Sequence, residues 1–107
     1  MSRKSKEHGF VYLITDETDR VKIGVSKNAE RRLIQFRTSN PSVKLFGKIP
    51  CRCYDLESFL HKELAQYNVG GEWFSPSDEV ILKVFNLVYA HGQEYEAFYI
   101  ITGNTLM

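Results

Sequence analysis

The stretch that most restricts the fold lies near the N-terminus, where two apolar runs flank a short polar segment. Gly9-Phe10-Val11-Tyr12-Leu13-Ile14 is aromatic and β-branched, Thr15-Asp16-Glu17-Thr18-Asp19 is rich in turn residues, and Arg20-Val21-Lys22-Ile23-Gly24-Val25 alternates polar with apolar. This pattern predicts a β-hairpin. Side chains leave a strand on opposite faces in turn, so Val21, Ile23 and Val25 share one face and Arg20, Lys22 and Gly24 the other.

Two amphipathic segments follow. Ser26 or Asn28 can cap a helix through Ala29–Arg37, which stops before Asn40-Pro41 because the residue preceding a proline resists helical geometry. At about 100° per residue, Ala29, Leu33 and Phe36 form its buried stripe. Arg31 lies nearly opposite that stripe, in water. Arg32 sits about 65 to 70° from the stripe's centre, on the flank, where a long side chain can lean along the sheet. Residues 43–53 read as a third strand, with Pro50 marking an edge or a bulge near its end. Asp55 can cap a second helix from Leu56 to about Tyr67. Leu56, Leu60, Leu64 and Tyr67 are its core stripe, which puts Glu57 and His61 one turn apart on the flank. Gly70-Gly71 ends that segment, and Glu72-Trp73-Phe74 is a short aromatic stretch. Ser75-Pro76-Ser77-Asp78 then starts a third helix to about Ala90. Glu94 to Ile101 fits a late strand or a helix.

With 107 residues, 43% hydrophobic and 25% charged, the chain suits one compact domain. The expected division is a basic flexible tail over 1–8, a folded domain over 9–90 and a C-terminal extension over 91–107 that packs on the domain or on a partner. No apolar run is long enough to cross a bilayer, and the N-terminal residues lack the hydrophobic stretch of a signal peptide, so no membrane partner and a cytoplasmic protein are expected. Net charge is +1, yet residues 1–50 hold eleven Lys/Arg against five Asp/Glu and residues 51–107 three against eight. The first half can face a polyanion while the second supplies carboxylates. Cys51 and Cys53 are two apart in an extended stretch, about 6.6 Å, against about 3.8 Å between the Cβ atoms of a disulfide. Reduced thiols are therefore expected, and the spacing is not that of a structural zinc site.

No phosphate-binding loop, dinucleotide fingerprint, paired-histidine zinc helix or nucleophile elbow is present. What remains is Phe10-Val11-Tyr12 and Lys22-Ile23-Gly24 on the hairpin, Arg32 on the first helix and Glu57 at the start of the second. In this order the set resembles the GIY-YIG nuclease superfamily. Leu56-Glu57 with Leu60-His61, Gly71-Glu72-Trp73-Phe74 and Thr38-Ser39-Asn40-Pro41 resemble its phage-type DNA-binding and meiotically upregulated branch, over residues 9 to about 80. The resemblance implies an α/β (α+β) domain with a small, mainly antiparallel three-stranded sheet flanked by helices. It implies an endonuclease that hydrolyses DNA phosphodiester bonds, with Tyr12, Lys22, Arg32 and Glu57 catalytic, His61 and Glu72 supporting, and Glu57 the ligand of Mg²⁺ or Mn²⁺. Lys22 stands where the superfamily often has tyrosine. The asparagine of the homing endonucleases has no clear counterpart, although Glu72 and Asn68 lie in that part of the chain.

The chemistry is coherent with phosphodiester hydrolysis, which needs an oriented water and neutralised phosphoryl oxygens. Mg²⁺ keeps several waters and takes one or two carboxylates, which Glu57 can provide. Arg32 would clamp a nonbridging oxygen and Tyr12 would orient or deprotonate the water, with Lys22 holding the phenol closer to phenolate or binding the attacked phosphate. Lys27, Arg31 and Arg37, with Arg3, Lys4 and Lys6, would touch phosphate without reading sequence. A DNA partner would place the protein at the nucleoid or in the nucleus as well as in the cytoplasm. Singly, each residue has a plainer role: Tyr12 as a core aromatic, Lys22 as a solvated strand residue, Arg32 paired with Glu30 or Glu57, Glu57 favoured by the helix dipole, His61 bonded to Glu57. Two other readings stand beside the nuclease. One is a DNA-binding module of the same fold with weak or no catalysis; the other is an interaction domain whose aromatic C-terminal segment pairs with a partner or a second copy, as in a homodimer.

Overall fold

The computed structural model describes residues 9–51, 55–95, 97 and 101–102. The predicted hairpin forms: β1 (Gly9–Thr15) pairs antiparallel with β2 (Val21–Ser26), with Tyr12 opposite Gly24 and Leu13 opposite Ile23. Asp16 shapes the turn. Its carboxylate accepts from the Thr18 N–H at 2.9 Å, the Thr18 hydroxyl at 2.6 Å and Arg20 Nε at 3.1 Å, so a short polar side chain takes the place of backbone partners. β3 (Lys44–Cys51) lies on the other side of β1, with an irregularity where Leu13 and Ile14 face Gly47 and Leu45 and leave Phe46 unmatched. Pro50 is opposite Phe10, outside the stretch of β3 that β6 (Ile101–Thr102) pairs among the described residues, namely Gly47 and Lys48. A residue without an N–H is tolerated there.

The sheet is wider than the three strands expected from the sequence. β4 (Asn68–Gly70) and β5 (Trp73–Phe74) extend it on the β2 side and β6 on the β3 side, giving the order β4-β5-β2-β1-β3-β6 with antiparallel neighbours. Strands of two or three residues are too short to show a period. Backbone geometry makes them instead: Gly70 at φ 133° and Gly71 at φ 53° turn the chain, a conformation open to glycine. Asn68 Nδ2 locks the turn by donating to the carbonyls of Gly71 at 2.9 Å and Trp73 at 3.2 Å. The second helix is also shorter than its apolar period predicts. α2 spans Asp55–Glu63, Leu64 leaves helical geometry at φ −106° and ψ 15°, and Ala65–Tyr67 is a separate 3₁₀ turn.

Helices cover the sheet on both faces. α1 (Ala29–Arg37) begins at Asn28, whose Oδ1 accepts from the Arg31 N–H at 3.0 Å, and Ser26 Oγ in turn accepts from the Asn28 N–H. Ala29, Leu33 and Phe36 pack against Tyr12, Ile14 and Val43. On the opposite face Val11, Leu13, Val21, Ile23 and Ile49 meet Leu56, Leu60 and Leu64 from the α2 region and Val80, Val84 and Val88 of α3 (Ser77–His91). The strand period of two therefore sorts Tyr12 and Lys22 onto the α1 face, as the alternation predicts. Cys51 is buried, while Cys53 and the basic tail lie outside the described residues. After α3 a 3₁₀ turn over Gly92–Tyr95 buries Gly92 and precedes β6. Among the described residues no helix is long and apolar enough to cross a membrane.

Candidate active site

The geometry of the site starts from an edge that β5 leaves open. β5 pairs with Val21 and Lys22 of β2. At Ile23 the outer edge is taken over by side and main chains of other elements: the Ile23 N–H donates to the Glu72 carbonyl at 3.0 Å, and the Ile23 carbonyl accepts from His61 Nε2 at 2.8 Å. That bond puts the proton of a neutral His61 on Nε2. It also fastens α2 to this edge, with Glu57 one turn before His61.

Gly24 supplies the space. A Cβ at this position would lie 2.2 Å from Tyr12 Oη and 2.4 Å from Cζ, so the tyrosine ring runs across the glycine and its hydroxyl points toward the open edge. Tyr12 is 1% exposed and meets Phe36 of α1 edge-on at 6.0 Å. Arg32 follows on the flank of the same helix, its guanidinium 5.0 Å from the Phe36 ring centre. Glu30, the rival partner for Arg32, is instead bound to Lys48 Nζ at 2.6 Å. Lys22 Nζ stands 3.6 Å from Glu72 Oε1, between the rings of Phe36 at 5.0 Å and Trp73 at 5.3 Å. Glu57 Oε2 is 3.7 Å from His61 Nε2.

The ionisable groups act on one another. Burial pushes the Tyr12 phenol above its ordinary value, with the charges of Glu72 and Glu57 adding to the rise, while a hydrogen bond and the charge of Arg32 oppose it. Burial likewise raises the Glu57 carboxyl; His61 opposes and Glu72 adds. The expectation that Lys22 holds Tyr12 toward phenolate is therefore corrected: the cation at the phenol is Arg32, Lys22 is held by Glu72, and the net environment favours the protonated phenol.

Tyr12, Lys22, Arg32, Glu57, His61 and Glu72 thus come together from both halves of the chain. Asn68 does not join them, since its amide holds the β4–β5 turn. Lys27 and Arg31 are exposed around the start of α1, and Arg37, at the other end of that helix, donates from Nε to the Val43 carbonyl at 3.2 Å. Sequence reasoning missed Arg20, whose guanidinium lies 4.0 Å over the Trp73 ring beside Lys22; the alternation that put Arg20 and Lys22 on one face was the available signal. Among the described residues no group of three or more His, Cys, Asp or Glu side chains that could hold a metal ion is present. The donor set suits a cation that keeps most of its water and takes one or two carboxylates, as Mg²⁺ does. Glu57, raised by burial and by the charge of Glu72, is a carboxylate whose ionised form such a cation would favour.

Comparison with curated proteins and with solved structures gives no match. The T5orf172 domain matches residues 9–89, from the first residue of β1 into the last turn of α3, and the chain belongs to that family.

Proposed function

We propose that this cluster is the active site of a GIY-YIG-type endonuclease that hydrolyses DNA phosphodiester bonds. Membership of the T5orf172 family is consistent with a nuclease or a DNA-binding role. The observation that carries the finer reading is the meeting of a phenol, a guanidinium, an ammonium and a half-buried carboxylate at one open strand edge. Arg32 and Lys22 would draw the nonbridging oxygens of the phosphate into the pocket and favour the charge that builds there. Tyr12, kept protonated by burial and packed against Phe36, would position the attacking water through its hydroxyl. His61 holds α2 against Ile23 and so sets the place of Glu57. Glu57, with Glu72 nearby, would hold Mg²⁺ or Mn²⁺, which supplies positive charge at the phosphoryl and leaving oxygens when bound.

The protonated phenol also favours a second reading, a DNA-binding module of the same fold without catalysis. Supercoiled-plasmid nicking in Mg²⁺ separates the two. The nuclease reading expects cleavage that falls about 10²-fold or more in Arg32→Ala and Glu57→Gln. Salt-sensitive DNA binding with no nicking by the unaltered protein supports the module instead. A readout independent of activity is thermal unfolding: added Mg²⁺ should raise the Tm of the unaltered protein and leave that of Glu57→Gln where it was.

A further inference from the structure

Beside the cluster, on the same face of the sheet, a pocket of about 280 Å³ is lined by Arg20, Lys22, Phe36, Ser39, Asn40 and Trp73, among others. Its volume is near the lower end of the ~300–1,000 Å³ of small-ligand sites. Lys22 and Phe36 belong to both places, so the pocket and the cluster are immediate neighbours. The polar groups on its wall are two cations, an amide and a hydroxyl, and none of the lining residues is acidic.

The donors are held in position from behind. The Asp16 side chain is 2% exposed and lies 3.1 Å from both Arg20 Nε and Nη2, through Oδ2, which also accepts from Asn40 Nδ2 at 3.4 Å. Asn40 Oδ1 is engaged by the Ser42 N–H at 3.2 Å and hydroxyl at 2.8 Å, which fixes the amide's orientation. Arg20 is further held over the Trp73 ring, its guanidinium carbon 4.0 Å from the ring centre. One edge of the guanidinium is bound to Asp16 and the other nitrogen, Nη1, retains its donors. Nη1 and the outward N–H of Nη2 remain as a planar pair of donors, which suits the oxygens of a phosphate. The segment Thr38-Ser39-Asn40-Pro41, which the cluster does not use, is what brings Ser39 and Asn40 to this wall.

We infer that this pocket is a second anion subsite, seating the phosphate next to the one being cut on the same DNA strand, with the nucleoside against the Phe36 and Trp73 walls. The inference rests on the reading of the adjoining cluster as a DNA-cutting site. Arg20 and Asn40 bind and position the strand; Lys22 faces both phosphates.

Trp73 is the one tryptophan of the chain, so its emission reports on this pocket. The test titrates the full chain with thymidine 3′,5′-bisphosphate in metal-free buffer at low salt and follows that emission. The expected result is a saturable change whose midpoint rises about tenfold in Arg20→Lys, which loses the planar pair, and in Ser39→Glu, which adds a like charge at an exposed position. Should Arg20→Lys fail to fold for want of its Asp16 contacts, Ser39→Glu still decides. Lys62→Ala should leave the midpoint unchanged, since Lys62 is an exposed cation of α2, on the opposite face of the sheet and not on the wall. No emission change, an unshifted midpoint in Ser39→Glu, or an equal shift in Lys62→Ala overturns the subsite. Plasmid nicking, read separately, keeps the two ideas apart: nicking without titration removes the subsite alone, and titration without nicking removes the nuclease alone.

Discussion

Gly24 and the ring of Tyr12 compete for the same volume, and that competition fixes where the phenol can point. Gly24→Ala should cost about 1–3 kcal/mol in urea unfolding, because the added carbon would sit within 2.9 Å of three ring and hydroxyl atoms. Tyr12→Phe keeps the hydrocarbon packing and should cost about 1 kcal/mol, the net worth of one hydrogen bond. Two carboxyls give opposite dependences on pH. The Glu57 pKa is raised above its ordinary 4.5, so the folded protein binds its proton more tightly than the unfolded chain does, and the stability it carries falls as pH rises through that window. Glu57→Gln should therefore be more stable than the unaltered protein at pH 7, with the gap closing below about pH 4.5. Asp16 is lowered from 3.8: burial opposes its charge, but the Thr18 hydroxyl and N–H and the Arg20 guanidinium outweigh burial. Its contribution is complete above the unfolded value and fades as pH falls through the folded one. Asp16→Asn should lose about 2 kcal/mol at pH 7 and nothing below both values, in urea melts run at each pH.

At the scale of elements, α3 shows how a helix can start without a cap of its own. Pro76 makes no side-chain bond there, and Asp19 of the hairpin turn accepts from the Ser77 N–H at 3.0 Å and hydroxyl at 2.9 Å. Asp19→Ala should cost about 1 kcal/mol in thermal unfolding, as loss of a local cap would. Nothing in Ser75-Pro76-Ser77-Asp78 announces that partner, because it lies 58 residues away. Helices and long strands were legible because they repeat: Leu56, Leu60 and Leu64 mark the buried side of α2, and Val21 and Ile23 the buried side of β2. β4 and β5 were not, since two or three residues hold no period and a glycine turn with backbone pairing creates them. Candidate site residues followed the same division. Tyr12, Arg32 and Glu57 could be found by their places on periodic elements, whereas the Lys22–Glu72 pair depends on the β4–β5 turn.

Across the whole molecule, the two oppositely charged halves of the chain contribute to one site. Tyr12, Lys22 and Arg32 come from the basic half, Glu57, His61 and Glu72 from the acidic half, and the open edge of β2 is where they meet. DNA bound there should be released steeply by salt, and Lys27→Ala or Arg31→Ala should each lower the log–log slope of affinity against KCl by about 1 without changing the fold. By itself the sequence determined which residues leave which face of the hairpin and which sides of the helices are buried, because strand and helix periods are local properties of the backbone. Only the tertiary structure decided that α2 would fasten to the edge of β2 through His61, that Arg32 rather than Lys22 would attend the phenol, and that Asp16 would brace Arg20 and Asn40. Those outcomes depend on contacts between residues distant in the chain, where packing and burial, not spacing, choose the partner.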